Sequence, residues 1–338
     1  MKRQAPIRIA INGFGRIGRS LLRVLLDHSR LKIVHVNDPM DAEQAAYLLR
    51  YDTVMGRLKE SVEINGKRLR VGKLDIAMTH ERQASSLDWR KLGVDYIVNS
   101  SGANNDRKSL DAMIRHGAKR VFISAPAPKV ADRHILAGVN DGDLDPGDRI
   151  ISGGSCTAHC FAPVIKIIGA AYCIERGFMQ TVHSYTSAQN LTDGAHPRDK
   201  RRGRAAAMNI VPTTTEAVHA FEAALPKMKG LLMGMAMRVP VATGSNIDLV
   251  LQLNKPARRE DINALLEGAS AGKYKNIVEY SADPLVSSDI VGNPHSCVVD
   301  SLLTQCHGPL VRLFLWYDNE WGYASRFADL LALAAKQE

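Results

Sequence analysis

Hydrophobic positions in the first half of the chain alternate between two spacings. Compact, mostly apolar runs cover 7–11 and 31–36, as in strands, and between these runs apolar residues recur at helical spacing. Short strands are also predicted over 96–99 and 120–124, with a helix over 106–116 between them. Alternating strand and helix units of this kind predict an α/β fold with a doubly wound, mostly parallel sheet.

Two local signals add further elements to this half. Asp41 precedes a helical pattern that ends near Tyr51, and an aspartate in that position is a good N-cap. Asn65-Gly66 lies between two alternating runs within 62–71. This dipeptide is the strongest short signal for a two-residue turn, so a β-hairpin is predicted there.

The pattern changes after residue 155. A long apolar helix is predicted to begin at Cys156 and to end near Cys173. The strands predicted after it cover 180–185, 233–239, 246–253 and 310–317. The helices predicted there cover 205–209, 215–225, 259–271 and 324–336. This less regular order predicts a second, α+β domain with a mostly antiparallel sheet, so we expect domains over 1–155 and 156–318.

Composition narrows the class of protein. The chain has 338 residues, of which 45% are apolar and 23% charged, as in a globular protein without a membrane span. Its five cysteines form no paired CxxC clusters, and the N-terminus runs directly into a strand, so we expect a cytoplasmic protein without a signal peptide. The formal charge of +9 favours anionic partners, either nucleic acid or phosphorylated metabolites.

A glycine-rich turn follows the first predicted strand and opens the first predicted helix. Gly13, Gly15 and Gly18 have the GxGxxG spacing of a Rossmann-type dinucleotide site, in which the pyrophosphate lies on the helix N-terminus. Asp38 ends the second strand, where an acid binds the ribose hydroxyls and repels a 2′-phosphate. We therefore expect NAD as cofactor, in preference to NADP.

The run Ser152 to Cys160 places a thiol at a strand-to-helix junction. Cys156 falls in the first helical turn, beside unpaired N–H groups and the positive end of the helix dipole. This environment favours the thiolate, which is the nucleophilic form. The alternative for this residue is a small buried apolar side chain, the usual state of a free cysteine.

Eight ordered motifs extend these observations over almost the whole chain. They are INGFGRIGR near the N-terminus, Asn37-Asp38, SAPA at 124–127, SCT at 155–157, HSYT at 183–186, RAAAMNIVPTTT at 204–215, MAMRVPV at 235–241 and WYDNEWGY at 316–323. With these motifs the chain resembles the glyceraldehyde-3-phosphate dehydrogenase family of glycolysis. The resemblance implies a homotetramer, and a C-terminal helix over 319–338 that packs back on the nucleotide domain.

The resemblance also implies a reaction. Cys156 would attack the aldehyde of glyceraldehyde 3-phosphate to form a thiohemiacetal, with His183 as the base. Hydride transfer to NAD would leave a thioester, which inorganic phosphate would attack to release an acyl phosphate. A thiol beside an imidazole suits this chemistry, because the imidazole exchanges protons near neutral pH.

Further site residues are carried over by their positions in the motifs. The substrate phosphate would bind Thr186, Arg202 and Arg238, and Ser155, Thr157 and Thr215 would form the pocket of the attacking phosphate. Hydroxyls and an arginine fork suit phosphate oxygens. The expected cofactor contacts are Gly13, Gly15, Arg16, Ile17, Gly18, Asp38, Arg82, Ser124 and Asn319.

Several residues depart from the family pattern. Gly153-Gly154 replace Asn-Ala before the catalytic SCT, and His159 replaces Asn, which we interpret as a change in packing. Glu216 stands beside the attacking-phosphate pocket in place of Gly and would repel phosphate there. Gly194-Ala195 replace the Leu-Pro of many NAD-specific members and leave room for a 2′-phosphate, so some NADP use is expected.

Three alternatives remain open on sequence grounds. Glu216 favours a paralogue that oxidises another phosphorylated aldehyde, such as erythrose 4-phosphate, and finishes by hydrolysis. The net charge and the basic run at 198–204 favour a non-enzymatic anion- or RNA-binding protein, although that run lacks interleaved aromatic residues. Cys156, His159 and Cys160 share a helix face that could hold zinc, but a fourth ligand has no obvious source, so we expect no metal.

Overall fold

The computed structural model describes residues 5–197 and 199–338. Contacts between residues divide the chain into two compact units. The first unit contains the chain up to Gly154 together with Phe327–Glu338, and the second contains Ser155–Arg326. The sequence predicts a domain boundary at residue 155, and the family resemblance implies that the C-terminal helix packs on the first domain.

The first unit is built around a sheet in which most neighbouring strands are parallel. Its strands are β1 (Ile7–Asn12), β2 (Leu31–Asn37), β3 (Val62–Asn65), β4 (Arg68–Val71), β5 (Leu74–Thr79), β6 (Tyr96–Asn99), β7 (Arg120–Ile123), β8 (Arg133–His134) and β9 (Ile150–Ser152). They are ordered β3-β4-β5-β2-β1-β6-β7-β9-β8. Its helices are α1 (Arg16–Leu25), α2 (Ala42–Arg50) and α3 (Arg107–Arg115). The doubly wound prediction is confirmed, with β3 and β4 adding an antiparallel edge.

Local sequence explains where these elements begin and turn. Asp41 caps α2 by accepting a hydrogen bond from Gln44 N at 2.8 Å, as predicted. The predicted hairpin joins β3 to β4, and Gly66 adopts a φ of 60° in its turn. Such a left-handed conformation suits glycine because it has no Cβ.

The second unit contains a mixed sheet with helices. Its strands are β10 (Ile174–Ser184), β11 (Val211–Thr213), β12 (Leu232–Val239), β13 (Ser245–Leu253), β14 (Val278–Ser281), β15 (Cys297–Asp300), β16 (Gln305–His307) and β17 (Leu310–Tyr317). They are ordered β11-β12-β10-β13-β17-β15-β14, with β16 paired to β17. The β10–β12 and β14–β15 pairs are parallel and the other pairs are antiparallel.

Four helices complete the described part of the second half of the chain. They are α4 (Cys156–Ala171), α5 (Ala217–Ala224), α6 (Arg259–Ala271) and α7 (Trp321–Ala335). The helix α4 is buried over most of its length, which its almost uninterrupted apolar sequence dictates. The helix α7 crosses the division between the units at Phe327. No helix within 5–197 or 199–338 is both long and apolar enough to span a membrane.

The predicted helix over 205–209 is wrong, since this segment forms turns. The side-chain amide of Asn209 donates to Ala205 O at 2.9 Å, and Met208 N donates to the same carbonyl at 3.2 Å. A helix would require that carbonyl for the backbone N–H of residue 209. Asparagine side chains compete with helices in this way.

A buried histidine makes the stability of the first unit depend on pH. His35 lies on β2 and is 1% exposed, with Nε2 2.9 Å from Thr79 Oγ1 and its ring edge-on to Trp89 at 5.8 Å. Burial, with a smaller contribution from the charge of Arg68, lowers the pKa of His35 to about 4. The unfolded chain has the ordinary value near 6.5, so the folded state binds fewer protons between these values.

We expect the fold to lose stability as the pH falls from about 6.5 towards 4, and His35 to contribute up to about 3 kcal/mol of that loss. His35→Phe retains a ring against Trp89 and removes the titrating nitrogen. Urea unfolding at pH 7.5 and pH 4.5 should therefore give a smaller difference in unfolding free energy for the variant. His307→Gln, at an exposed position, is the matched control. Equal pH dependence in wild type and His35→Phe would contradict the assignment.

Candidate active site

The three glycines of the turn between β1 and α1 differ in the space that surrounds them. Gly13 has a φ of +96°, and a Cβ on it would lie 2.3 Å from Ser101 N. A Cβ on Gly18 would lie 2.3 Å from Gly13 O. A Cβ on Gly15 would meet no atom within 4 Å, and Gly15 caps α1 without a side-chain hydrogen bond. The turn thus packs tightly on two sides and leaves the helix N-terminus open, which fits a dinucleotide pyrophosphate.

Asp38 is fixed beside this turn. Its Oδ2 accepts a hydrogen bond from Phe14 N at 2.7 Å, and its Oδ1 accepts one from Met40 N at 2.9 Å. The carboxylate therefore lies at the carboxyl end of β2, next to the glycine turn. A carboxylate in that position accepts hydrogen bonds from ribose hydroxyls and disfavours a 2′-phosphate.

A row of amide side chains connects the carboxyl ends of neighbouring strands. Asn37 Nδ2 donates to Asn12 Oδ1, and Asn12 Nδ2 donates to Asn99 Oδ1, each at 2.8 Å. Thr79 Oγ1 donates to Asn37 Oδ1, also at 2.8 Å, and Ser124 N donates to Asn99 O at 3.1 Å. The row joins β5, β2, β1 and β6 beneath the glycine turn. Sequence reasoning missed Asn12 and Asn99, although both end buried strands.

The other residues of the first unit that are predicted to contact the cofactor differ in whether their side chains are available to bind it. Arg16 is paired with the largely buried Asp52, so its guanidinium holds the start of α1 in place. Ile17 is half-buried, and Arg82 is exposed on the loop after β5, where its carbonyl accepts from Asn104 Nδ2 at 3.2 Å. At Ile17 the chain can offer only backbone N–H groups to a phosphate.

The predicted nucleophile and base lie together in the second unit. Ser155 caps α4 by accepting a hydrogen bond from Ala158 N at 3.0 Å, which makes Cys156 the first helical residue. Cys156 Sγ lies 3.6 Å from His183 Nε2, near the end of β10. His183 Nδ1 lies 2.8 Å from Ser184 O. Donation from Nδ1 to this carbonyl leaves a lone pair on Nε2 facing the sulfur.

Arg238 reaches the same imidazole because β10 and β12 are parallel and pair His183 with Arg238. Its Nη1 lies 2.6 Å from His183 Nδ1 and 3.1 Å from Ser184 O. Nδ1 cannot donate to Ser184 and accept from Arg238 at once, so the two contacts select opposite ring tautomers. The base role requires the tautomer that donates to Ser184.

The pKa shifts of Cys156 and His183 contradict the prediction that Cys156 is a thiolate in the resting chain. Burial, and then the charge of Arg238, lower the pKa of His183 to about 3, so the imidazole is neutral near neutral pH. Although Cys156 is partly exposed, burial raises the pKa of its thiol, and Arg238 and Thr157 only partly oppose this. The predicted preference for thiolate at the helix N-terminus is therefore outweighed by desolvation. A neutral thiol faces a neutral imidazole in the resting chain.

A third group of residues lies behind this pair. Thr157 Oγ1 lies 2.9 Å from Tyr317 OH, which lies 2.9 Å from Thr181 Oγ1. The Tyr317 ring is edge-on to His183, with centroids 5.9 Å apart. Sequence reasoning missed Tyr317 and Thr181. Thr181 shares a face of β10 with His183, two residues on, which is a signal that the pattern did contain.

Asn319 is held by three hydroxyls of the second unit. Its Oδ1 accepts hydrogen bonds from Ser184 Oγ at 3.0 Å, Ser245 Oγ at 2.9 Å and Thr243 Oγ1 at 3.3 Å. The side-chain oxygen of Asn319 therefore already accepts hydrogen bonds from within the protein. The amide nitrogen is the side that Asn319 can present to a ligand.

Three of the predicted phosphate-binding residues lie on segments after β10 and β11, whereas Arg238 lies on β12, and Ser155 and Thr157 lie at the start of α4. Thr186 is half-buried just beyond β10. Arg202 donates from Nη2 to Thr214 O at 3.4 Å and pairs with Asp199, which brings it beside the Thr215 loop. Thr215 Oγ1 accepts from Ala217 N at 3.1 Å. Arg198 of the predicted basic run lies outside the described residues.

Comparison with known proteins identifies the family. Residues 7–107 match the family model described as glyceraldehyde 3-phosphate dehydrogenase, NAD binding domain, and residues 155–319 match the model of its C-terminal domain. The glyceraldehyde-3-phosphate dehydrogenase of Mycobacterium avium is 44% identical over 337 residues, which cover 98% of this chain and 99% of that protein. The chain belongs to the glyceraldehyde-3-phosphate dehydrogenase family.

Further relatives agree across the same length. The enzymes of that name from Kitasatospora aureofaciens and Geobacillus stearothermophilus are 46% and 44% identical, over 97% and 98% of this chain and 99% of each relative. The predicted fold class, the enzyme class and NAD as cofactor are thereby confirmed. This member of the glyceraldehyde-3-phosphate dehydrogenase family is an NAD-dependent oxidoreductase.

Two departures from the family pattern have structural explanations. A Cβ on Gly153 would lie 2.6 Å from a ring carbon of Phe327, so the aromatic ring occupies the space that a larger residue needs. His159 Nδ1 lies 3.0 Å from Ser155 O, and its ring stands edge-on to Tyr323 at 5.7 Å. His159 is thus a packing residue of α4. Within 5–197 and 199–338, no three His, Cys, Asp or Glu residues are grouped to hold a metal.

The glycine turn allows a test that separates folding from cofactor binding. Gly15→Val places its side chain in space that the protein does not occupy, so we expect a nearly unchanged melting temperature and a loss of NAD binding of at least tenfold. Gly18→Val clashes with the Gly13 carbonyl and should destabilise the first unit. Thermal melting and NAD titration by calorimetry measure the two effects. Unchanged NAD affinity in Gly15→Val would show that the pyrophosphate lies elsewhere.

Proposed function

We propose that the chain oxidises glyceraldehyde 3-phosphate to an acyl phosphate, with Cys156 as nucleophile and His183 as base. The observation that carries the proposal is the 3.6 Å contact between Cys156 Sγ and His183 Nε2, with Arg238 beside the ring. The relatives named above carry the same activity in their names.

Proton transfer follows from the electrostatics of the pair. With Nδ1 donating to Ser184 O, Nε2 accepts the thiol proton as the sulfur bonds to the aldehyde carbon. The imidazolium formed then donates to the aldehyde oxygen in the thiohemiacetal, where negative charge develops. NAD, held by the Gly13–Gly18 turn and Asp38, supplies the hydride acceptor when bound. The imidazole is neutral in the resting chain, so its Nε2 lone pair is available to the thiol proton, and burial with the charge of Arg238 makes it a weaker base than the free imidazole expected from sequence.

Two anion sites complete the proposal. Thr186, Arg202 and Arg238 would bind the phosphate of the substrate, and a half-buried guanidinium such as Arg238 can bind phosphate oxygens through two parallel hydrogen bonds. Ser155, Thr157 and Thr215 would bind the attacking phosphate. The hydroxyl of Thr157 must then donate to a phosphate oxygen.

Glu216 supports a second candidate, oxidation that ends in hydrolysis or acts on another phosphorylated aldehyde such as erythrose 4-phosphate. This residue is exposed at the N-terminal end of α5, directly after Thr215. A carboxylate there is favourable for the helix dipole but repels a phosphate bound at Thr215. The attacking phosphate therefore binds more weakly than it would beside glycine.

Exposed apolar side chains support the expected homotetramer. Leu191, Met208 and Ile210 are 77%, 84% and 67% exposed and lie on the segment between β10 and β11. Clusters of exposed large apolar residues mark interaction surfaces. Sedimentation of the pure protein measures the oligomeric state directly. We expect a complex of four copies.

We expect Cys156→Ala to abolish NADH formation while NAD binding survives, because the thiol forms the covalent intermediates and does not hold the cofactor. His183→Asn should slow acylation by about 10²–10⁴-fold, the usual contribution of a general base. Single-turnover NADH formation from glyceraldehyde 3-phosphate measures both variants. Activity close to wild type in either one would show that the catalytic roles are misassigned.

Steady-state NADH formation with and without inorganic phosphate separates the two candidate reactions. The leading proposal requires phosphate for turnover, and Glu216→Gly should then lower the KM for phosphate because a negative charge is removed from the pocket. His219→Gln changes a neighbouring exposed residue and serves as the control. Full-rate turnover without phosphate would establish the hydrolytic candidate instead.

A further inference from the structure

Two loops of the first unit are joined by the side chain of Asn104. Its Nδ2 donates to the carbonyl oxygen of Arg82 at 3.2 Å. Arg82 lies on the loop that follows β5, and Asn104 lies on the loop that follows β6. Because β2 and β1 lie between β5 and β6 in the sheet, the two loops meet across the carboxyl ends of both strands.

This bridge lies near the place where the purine of a dinucleotide belongs. Asp38, at the end of β2, is the residue that binds the adenosine ribose in this type of site. Asp38 N donates to Thr79 O at 3.1 Å, so the loop after β5 begins beside the ribose position. Ser100 Oγ donates to Gly13 O at 2.7 Å, so the loop after β6 packs on the glycine turn. A base joined to that ribose is therefore within reach of both loops.

The loop after β6 is held in place from beneath. Asn99 is 2% exposed, and its Nδ2 donates to Ala103 O at 3.0 Å and to Asn105 Oδ1 at 2.8 Å. Asn104 adopts a φ of 55°, a left-handed conformation that asparagine tolerates better than most residues. The position of Asn104 is thus set before a ligand binds, which reduces the entropy cost of using it.

The bond to Arg82 also fixes which way the Asn104 amide points. A carbonyl oxygen only accepts, so the Arg82 carbonyl requires the Nδ2 side of the amide. A half-turn of the amide would place Oδ1 against that carbonyl, with no hydrogen between the two oxygens. Within 5–197 and 199–338, no protein group donates to Asn104 Oδ1. The side-chain oxygen is therefore an oriented acceptor that is available to a ligand.

An oriented acceptor distinguishes purines by the group at carbon 6. Adenine carries a 6-amino group, which donates, whereas hypoxanthine carries a 6-oxo group, which accepts. The two loops, over 80–83 and 100–106, contain no Phe, Tyr or Trp. Polar groups, and not the face of such a ring, are therefore what these loops offer to a base.

We propose that Asn104 is a specificity-determining residue for the purine of the cofactor: its side-chain oxygen accepts a hydrogen bond from the 6-amino group of adenine and disfavours a 6-oxo purine. A 6-oxo purine loses this bond and sets one acceptor against another, and the amide cannot turn without losing Arg82. The inference concerns NAD binding and does not depend on the catalytic roles proposed above.

The test compares NAD with nicotinamide hypoxanthine dinucleotide, in which a 6-oxo purine replaces adenine. Calorimetric titration of the full chain, without aldehyde, gives the ratio of the two dissociation constants. We expect wild-type protein to bind NAD about tenfold more tightly, the effect of one hydrogen bond at a partly exposed site.

Two variants of Asn104 separate the oxygen from the shape of the loop. Asn104→Gly keeps the left-handed conformation and removes the acceptor, so the ratio should fall to about one. Asn104→Asp retains acceptor oxygens and should keep a preference for NAD of at least about fivefold. Asn276→Gly makes the same change at the other described non-glycine residue with a positive φ, 72°, and should keep the wild-type ratio.

Three results would overturn the inference. The first is a wild-type ratio close to one. The second is an Asn104→Gly variant that retains the wild-type ratio, because a loosened loop weakens both dinucleotides equally and leaves the ratio unchanged. The third is an Asn104→Asp variant whose ratio falls as far as that of Asn104→Gly.

Discussion

The contact between His183 and Arg238 depends on a single constraint, the parallel pairing of β10 with β12. This pairing sets His183 directly beside Arg238, so one guanidinium reaches both the imidazole and the Ser184 carbonyl. A slip of β12 by one residue would turn Arg238 to the opposite face of the sheet from His183. The two competing contacts at His183 Nδ1, the contribution of Arg238 to the His183 pKa and the place of Arg238 in the proposed phosphate site all follow from this register.

Desolvation dominates the chemistry of the second unit more than any ion pair does. Burial is the largest influence on the pKa of Cys156, His183 and Arg238 alike, and it acts against the charged form in each. A low-dielectric pocket that contains the Arg238 guanidinium suits a reaction in which charge develops transiently on an aldehyde oxygen. These pKa shifts favour a neutral Cys156 thiol beside a neutral His183 imidazole.

Features that are set by neighbouring residues in the chain could be predicted from the sequence. Contacts between residues far apart in the chain could not. The glycine turn, Asp38 and the capped start of α4 are set by neighbours in the chain, so their spacing was enough to find them. The contact between Thr157 and Tyr317 joins residues 160 positions apart, and no spacing rule reveals it. The thiol's pKa was misjudged for the same reason, because the helix terminus is a local feature whereas burial comes from the whole unit. The wrong helix over 205–209 arose from one side chain, Asn209, competing for a backbone carbonyl.

The close approach of Phe327 to Gly153 couples the residues that these two positions can hold. An asparagine at 153 would place its Cβ 2.6 Å from a ring carbon of Phe327, so the ring would have to shift. A larger side chain at 153 is therefore accommodated only if the ring at 327 moves or is replaced by a smaller side chain.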